Sequence, residues 1–207
     1  MPDNPDDSQP ARPEPPVRLI ARHDAGGNSK WQVLLDRIES AGMPPVANYL
    51  VLKPRHCAVG APAGVCVLPV VAAADGRQNV LLLRTYRHPV AGYFWEGARG
   101  FIDEGEIAAT AAARELMEET GFVCPVRNLL SLGTFCQEPS TLACRVALFA
   151  ALDCQQVGKP VMDEPGLGTM QPFELAEAMA MAADGRIEEA STSLALLRLQ
   201  FALARRA

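Results

Sequence analysis

Residues 100–122, GFIDEGEIAATAAARELMEETGF, constrain the fold of this chain more than any other segment. A glycine-rich loop leads into an alanine-rich run that favours a helix, and Gly121 is the kind of residue that ends a helix in the left-handed conformation. Glu115, Glu118 and Glu119 have the i, i+3 and i+4 spacing that places three carboxylates on one helix face. The fold must therefore leave this face in water or supply cations to it.

These residues alone allow two interpretations of the acidic face. Charged helix faces are usually solvated, and Arg114, four residues before Glu118, could serve as an ordinary ion-pair partner. Alternatively, the carboxylate oxygens could bind a hard divalent cation such as Mg²⁺ or Mn²⁺. One arginine cannot compensate three neighbouring carboxylates, but for three helix glutamates taken alone a solvated face is the more common case.

The rest of the chain predicts an α/β domain preceded by two shorter parts. Buried-strand patterns such as AGVCVLPVV and NVLLLRTYR are interspersed with helical patterns, which is typical of an α/β sandwich. Residues 1–16 are acidic and proline-rich and predict a disordered tail. Residues 17–55 predict a small β-sheet subdomain, and residues 56–207 predict the main domain. A sheet as small as that of residues 17–55 must pack on the rest of the chain or on a second subunit.

Composition argues against several classes of function. The net charge is -5 with no basic block, so a nucleic-acid partner is not expected. No apolar run reaches the roughly 18 residues that span a bilayer, and the N-terminus lacks the apolar segment of a signal peptide. Six scattered cysteines without a CxxC pair argue against zinc and against a disulfide framework. We therefore expect a reduced, cytoplasmic environment and no membrane partner.

The spacing around the acidic helix extends its pattern into a longer motif. Five residues separate Gly100 from Glu106, and seven separate Glu106 from Arg114. Together with the glutamates and Gly121, this arrangement closely resembles the Nudix box of the Nudix hydrolase superfamily. The resemblance implies a Nudix α/β/α sandwich with a mixed sheet, here with a small N-terminal β-sheet subdomain in addition.

The resemblance also implies roles for individual residues. Glu115 and Glu119 correspond to the principal metal ligands, Glu118 to an additional ligand, and Arg114 to the residue that orients them. Glu106 corresponds to a supporting group beside that cluster. The implied cofactor is Mg²⁺ or Mn²⁺, as two or three ions, and the implied reaction is hydrolysis of a nucleoside diphosphate linked to another moiety by water attack. The products would be two phosphorylated fragments.

Residues outside the box resemble the ADP-ribose pyrophosphatase subfamily. Arg87 and Glu96 match its sequence before the box, and Pro139 follows Phe122 by 17 residues, near the proline that distinguishes this subfamily. The implied substrate is ADP-ribose or a related nucleoside diphosphate sugar, with Arg87, Glu96 and Pro139 near it. GDP-mannose and ADP-glucose are the main alternatives. A domain that senses a nucleotide without catalysis is another alternative, but intact box glutamates favour an enzyme.

One position departs from the subfamily pattern. Relatives have Pro-Ala-Gly where this chain has Ala98-Arg99-Gly100, and their carbonyl just before the box glycine binds metal. Arg99 would supply that carbonyl, while its guanidinium could reach a substrate phosphate.

Two further predictions concern a loop and a partner subunit. Relatives carry a catalytic glutamate in a loop that corresponds to GKPVMDEPGLG, where Glu164 is the first candidate and Asp163 the second; an ordinary acidic surface loop is the alternative. The resemblance implies a homodimer in which the N-terminal subdomain completes the base pocket of the partner subunit. Trp31 could stack on the base there or pack within its own sheet.

Overall fold

The computed structural model describes residues 14–57, 61–161 and 165–205. The chain divides into two compact units, Met1–Lys53 and Pro54–Ala207. Most of the predicted tail, residues 1–13, lies outside the described ranges. Within those ranges no helix is long and apolar enough to cross a membrane.

The N-terminal unit is an antiparallel hairpin extended by a third strand. Its strands pair in the order β1-β2-β3 and comprise β1 (Val17–Gly27), β2 (Trp31–Ser40) and β3 (Val46–Pro54). Arg22 of β1 lies directly opposite Asp36 of β2, and the guanidinium donates two hydrogen bonds to the carboxylate, at 2.8 and 2.7 Å. Asp36 is buried, and this pairing keeps its charge compensated.

The C-terminal unit is built on a mixed sheet. Its described strands are β4 (Pro62–Ala72), β5 (Gln78–Arg87), β6 (Gly92–Glu96), β7 (Ala98–Phe101), β8 (Phe122–Val123), β9 (Leu129–Phe135), β10 (Arg145–Ala151), β11 (Gln155–Gln156) and β12 (Met170–Glu174). The main sheet has the order β12-β5-β4-β10-β9, with β6 paired to β5 and β7 paired to β4. Strands β4 and β10 run parallel, while the pairs β9–β10, β12–β5, β4–β5, β4–β7 and β5–β6 run antiparallel. The short β8 and β11 pair separately.

Helices cover both faces of this sheet because side chains alternate along β4. The helices of the described chain are α1 (Ala108–Thr120), α2 (Leu175–Ala183) and α3 (Ala190–Ala204). On one face, Val65 and Val67 of β4 share a core with Leu116 of α1. On the other face, Leu68 shares a core with Leu196 of α3. This arrangement confirms the predicted α/β/α sandwich with a mixed sheet.

The start of α2 differs from the sequence pattern, which predicts a helix from Pro172 onward. Residues Met170–Glu174 instead form β12, in which Pro172 lies opposite Leu81 of β5, and the helix begins at Leu175. Strand β12 lies at the end of the sheet order, where a proline without an N–H can be accommodated.

Candidate functional site

Helix α1 holds the acidic face against the edge of the core. It ends at Gly121, whose φ of 73° is left-handed and whose N–H donates to the Met117 carbonyl at 2.9 Å. Leu116 anchors the apolar side of the helix and is fully buried. Glu115 and Glu119 are also buried, with exposures of 8% and 7%. The helix therefore presents its carboxylates from a fixed backbone.

Arg114 lies at the centre of what we call the Arg114 cluster, together with Glu106, Glu115 and Glu118. Its Nη1 donates to Glu115 Oε1 at 2.7 Å and to Glu118 Oε2 at 3.1 Å. Its Nη2 donates to Glu106 Oε2 at 2.9 Å and to the Phe101 carbonyl of β7, also at 2.9 Å. The hydrogen bonds from Arg114 hold the pKa of Glu106 below its usual value, so Glu106 is ionised at neutral pH.

The Arg114 cluster has more negative than positive charge. Three glutamate carboxylates accept hydrogen bonds from one guanidinium, Asp103 Oδ2 lies 3.8 Å from the same group, and Glu119 adds another carboxylate one residue beyond Glu118. Among the described residues, no three acidic, histidine or cysteine side chains converge closely enough to hold a metal ion as they stand. The donor set nevertheless consists of carboxylate oxygens with an excess of charge, which fits a hard divalent cation such as Mg²⁺ or Mn²⁺.

Gly100 of β7 leaves the space that the Glu115 carboxylate of α1 occupies. A Cβ atom built at Gly100 would lie 2.0 Å from Glu115 Oε1, which is far inside van der Waals contact. Any side chain at this position would displace the Glu115 carboxylate. The glycine of the motif at position 100 therefore has a steric explanation: it leaves room for the Glu115 carboxylate.

Arg99 of β7 makes different contacts through its backbone and its side chain. Its N–H donates to Glu119 Oε2 at 2.8 Å, so this edge of the residue points away from its pairing partner Cys66 on β4. The N–H and C=O of one residue in a strand point to the same side of that strand. The Arg99 carbonyl therefore lies on the side of β7 that faces Glu119. The guanidinium instead donates to Glu189 Oε1 at 3.0 Å.

The guanidinium of Arg99 belongs to a second group of charges, the Arg99 chain, formed by Arg87, Glu96, Arg99 and Glu189. Arg87 donates to both oxygens of Glu96, with Nε to Oε1 at 2.9 Å and Nη2 to Oε2 at 2.5 Å. Glu96 is 1% exposed, and its Oε2 lies 3.7 Å from Arg99 Nη1. Two arginines thus balance two buried carboxylates.

Glu189, which contacts Arg99, was not predicted from the sequence. It caps α3, accepting hydrogen bonds from the N–H groups of Ser191 and Thr192 at 3.1 and 2.8 Å. Burial alone would raise the pKa of Glu189, but Arg99 and the hydrogen bonds from Thr192 and Ser191 outweigh it, and its pKa is lowered. The available signal was an acidic residue directly before a predicted helix, where carboxylates accept backbone N–H bonds.

The remaining predicted residues lie elsewhere or outside the described chain. Pro139 is exposed in a turn next to Ser140, whose N–H donates to Glu138 Oε1 at 3.1 Å. Trp31 is the first residue of β2 in the N-terminal unit and is partly buried. Asp163 and Glu164 lie outside the described residues. The roles predicted for these four residues and for Arg87 and Glu96 stay predictions.

Comparison with known proteins agrees with this fold and motif. The NUDIX domain matches residues 62–193. An ADP-sugar pyrophosphatase of Mus musculus is 41% identical over 58 residues, which is 28% of this chain and 27% of that protein. An ADP-ribose pyrophosphatase of Saccharomyces cerevisiae is 43% identical over 60 residues, 28% of this chain and 26% of that protein. The matched segments therefore span about a quarter of these relatives.

A solved structure extends the fold comparison over nearly the whole chain. The crystal structure of an ADP compounds hydrolase has a TM-score of 0.72, covering 95% of this chain and 99% of the other. Its sequence identity is 22%, so the likeness concerns the fold. The domain match covers well over half of the chain and includes the whole 100–122 motif, which confirms the predicted resemblance. The chain belongs to the NUDIX domain family.

Proposed function

We propose that this protein is a metal-dependent pyrophosphohydrolase that cleaves the diphosphate of ADP-ribose or a related nucleoside diphosphate sugar by water attack. The observation that carries the proposal is the charge excess on α1, where the single guanidinium of Arg114 contacts the carboxylates of Glu106, Glu115 and Glu118. A structural ion-pair network would balance these charges. An excess of carboxylate oxygens at a partly exposed helix face instead suits the binding of a divalent cation.

Glu115, Glu118, Glu119 and the Arg99 carbonyl would hold Mg²⁺ or Mn²⁺, as two or three ions. When bound, the metal would neutralise the diphosphate charge and make a bound water more acidic. Arg114 orients Glu115 and Glu118 through its Nη1 hydrogen bonds. These contacts limit the conformations of both carboxylates before any ligand arrives, which lowers the entropy cost of binding.

Glu164 is proposed to position or deprotonate the attacking water, with Asp163 as the second candidate. The described chain just before this segment supports the proposal, because the Val161 N–H donates to the Glu118 carbonyl of α1 at 2.6 Å. The described chain before Asp163 and Glu164 is thus attached to the backbone of a residue of the Arg114 cluster. Replacing Glu164 with Gln should lower kcat while the substrate still binds.

The substrate proposal rests on names and on sequence flanks. The two curated relatives are named for ADP-sugar and ADP-ribose hydrolysis, and the solved structure is named for ADP compounds. We propose that Arg87, Glu96 and Pro139 lie near the substrate and that Trp31 contacts the base. In this arrangement Arg87 keeps its ion pair with Glu96 at 2.5 Å, which fixes the direction of its guanidinium.

A homodimer is proposed as the assembled form. Several large apolar side chains of the N-terminal sheet are exposed, including Val17, Leu19, Ile20, Val46 and Leu50. Apolar groups clustered on one small sheet are typical of protein interfaces. Sedimentation velocity on the full chain should give the mass of a dimer, and a monomer at micromolar concentration would contradict this part of the proposal.

A substrate panel tests the proposed reaction. ADP-ribose, GDP-mannose, ADP-glucose, diadenosine polyphosphates and deoxynucleoside triphosphates are incubated with Mg²⁺ or Mn²⁺, and products are identified by chromatography. We expect ADP-ribose to be hydrolysed to AMP and ribose 5-phosphate with the highest kcat/KM. Glu119→Gln serves as the inactive control. Hydrolysis of GDP-mannose alone would revise the substrate, and no turnover of any compound would overturn the proposal.

A further inference from the structure

Arg99 connects the acidic face of α1 to the start of α3. Its backbone N–H contacts Glu119 on α1 at 2.8 Å, and its guanidinium contacts Glu189 at the N-terminus of α3 at 3.0 Å. Both contacts come from one residue of the short strand β7, which pairs with β4. The position of the hydrogen bond to Glu119 is therefore coupled to the position of the Arg99 side chain.

Glu189 is a rigid partner for that side chain. Besides the two backbone N–H groups of α3, the hydroxyl groups of Ser191 and Thr192 donate to its oxygens at 2.8 and 2.7 Å. The Thr192 hydroxyl also accepts a hydrogen bond from the Gly97 N–H at 3.0 Å. The segment before the motif is thus fixed to α3 at both Gly97 and Arg99, through buried groups.

The N–H of Arg99 orients the carboxylate of Glu119, which lies on the acidic face of α1. Glu119 is 7% exposed and follows Glu115 by four residues in α1, a spacing at which two carboxylates on one helix face repel each other. A backbone donor fixed at 2.8 Å gives Glu119 Oε2 a defined direction. Hydrogen bonds to the outer atoms of metal ligands orient those ligands and strengthen metal binding.

We propose that Arg99 and Glu189 are positioning residues that act through the Arg99 N–H to set the orientation of Glu119 for metal binding. The inference rests on the metal-binding part of the proposed function. It assigns the first turn of α3, far from the motif in sequence, to the support of the metal site. It also gives the Arg99 side chain a partner inside the protein instead of a substrate phosphate.

Mn²⁺ binding to the full chain, followed by electron paramagnetic resonance without substrate, tests the inference. We expect Arg99→Met and Glu189→Gln to raise the Mn²⁺ Kd about 10-fold and to lower kcat by a similar factor, with KM nearly unchanged. Arg99→Lys retains a cation near Glu189 and should lose only about a third as much affinity as Arg99→Met. Its partial rescue would distinguish positioning by charge from simple loss of packing.

Matched controls come from a surface ion pair. Arg77 Nη1 lies 2.6 Å from Glu174 Oε2, and both side chains are well exposed. Arg77→Met and Glu174→Gln change the same residue types away from the proposed site and should leave the Mn²⁺ Kd within about twofold. Because Glu189→Gln also weakens the cap of α3, the Arg99 variants, which leave that cap intact, decide the result if Glu189→Gln does not fold.

The outcomes separate this inference from the proposed function. If the Arg99 variants unfold more easily but keep the wild-type Mn²⁺ Kd and kcat, Arg99 and Glu189 only stabilise the fold and the inference is wrong. If the wild type binds Mn²⁺ and the variants bind it more weakly, the inference holds even where no nucleotide sugar is hydrolysed. If the wild type binds no Mn²⁺, both proposals are wrong.

Discussion

Two residues of β7, Phe101 and Arg99, contact two groups of charges that differ in balance. The Phe101 carbonyl accepts from Arg114, whose cluster has three carboxylates for one guanidinium. Arg99 belongs to a chain of two arginines and two glutamates. The Arg114 cluster includes Glu118, whose side chain is 50% exposed, whereas both glutamates of the Arg99 chain are buried.

The difference indicates separate physical roles. A buried charge is tolerated only when it is paired and hydrogen-bonded, so the Arg99 chain must stay balanced for the fold to persist. The Arg114 cluster is partly hydrated and can keep an excess of negative charge, at the cost of repulsion that a bound cation would relieve. Removing one carboxylate should therefore have opposite effects in the two groups.

The largest expected effect is on catalysis in the Arg114 cluster. Glu118→Gln removes a proposed metal ligand and should lower kcat/KM for ADP-ribose about 1,000-fold, or about 4 kcal/mol in activation free energy. The free energy of unfolding measured by urea denaturation in EDTA should be unchanged or slightly higher, because one of several repelling charges is lost. A large loss of stability in EDTA would show that Glu118 belongs to a balanced structural network instead.

The next effect concerns stability in the Arg99 chain. Glu96→Gln removes a buried negative charge that accepts hydrogen bonds from Arg87 and should lower the free energy of unfolding by about 3 kcal/mol, measured by urea denaturation. Glu104, whose side chain is 86% exposed, provides the matched control, and Glu104→Gln should change stability little. Equal stability of both variants would contradict the contrast between the two groups.

The sequence predicted the Arg114 cluster better than the Arg99 chain, for a physical reason. Arg114 and the helix glutamates are a few residues apart, so helix periodicity alone places them together, and Glu106 follows from the loop length. Arg99 and Glu189 are 90 residues apart and meet only because α3 packs on the same sheet as β7. No local pattern reports such a contact. The succession of buried-strand and helical patterns predicted the sandwich, whereas the local helical pattern at Pro172 did not reveal the edge strand β12.

A smaller effect is expected from cation binding to the wild type. At a free Mn²⁺ concentration of about 100 times its Kd, binding to the native state alone should add about 2.7 kcal/mol to the free energy of unfolding. The increase is read as a rise in Tm by circular dichroism relative to EDTA. Glu118→Gln should show a much smaller rise, whereas Glu104→Gln should behave like the wild type. A rise in Tm of the same size in the wild type, Glu118→Gln and Glu104→Gln would place the bound cation away from the Arg114 cluster.

The smallest effect is expected at the Arg22–Asp36 pair, which is balanced like the Arg99 chain but has one exposed partner. The hydrogen bonds from Arg22 lower the pKa of Asp36 below the ordinary value of about 3.9. A lowered carboxylate pKa stabilises the fold above that ordinary value, and the stabilisation is lost as pH falls through the folded pKa. Because the Arg22 side chain is 45% exposed, Asp36→Asn should cost only about 1 kcal/mol.

Urea denaturation of the wild type and Asp36→Asn at several pH values checks this expectation. The difference between them should be constant from pH 5 to pH 8 and should shrink below about pH 4, where Asp36 first takes up a proton in the unfolded chain and, at lower pH, in the folded protein as well. A loss near 3 kcal/mol would show that burial of one partner is enough to make a pair behave like the Arg99 chain. A difference that grows toward low pH would contradict the sign of the pKa shift. The Arg22–Asp36 pair thus tests whether the balance of charge or the burial of the charged side chains determines how much a group of charges stabilises the fold.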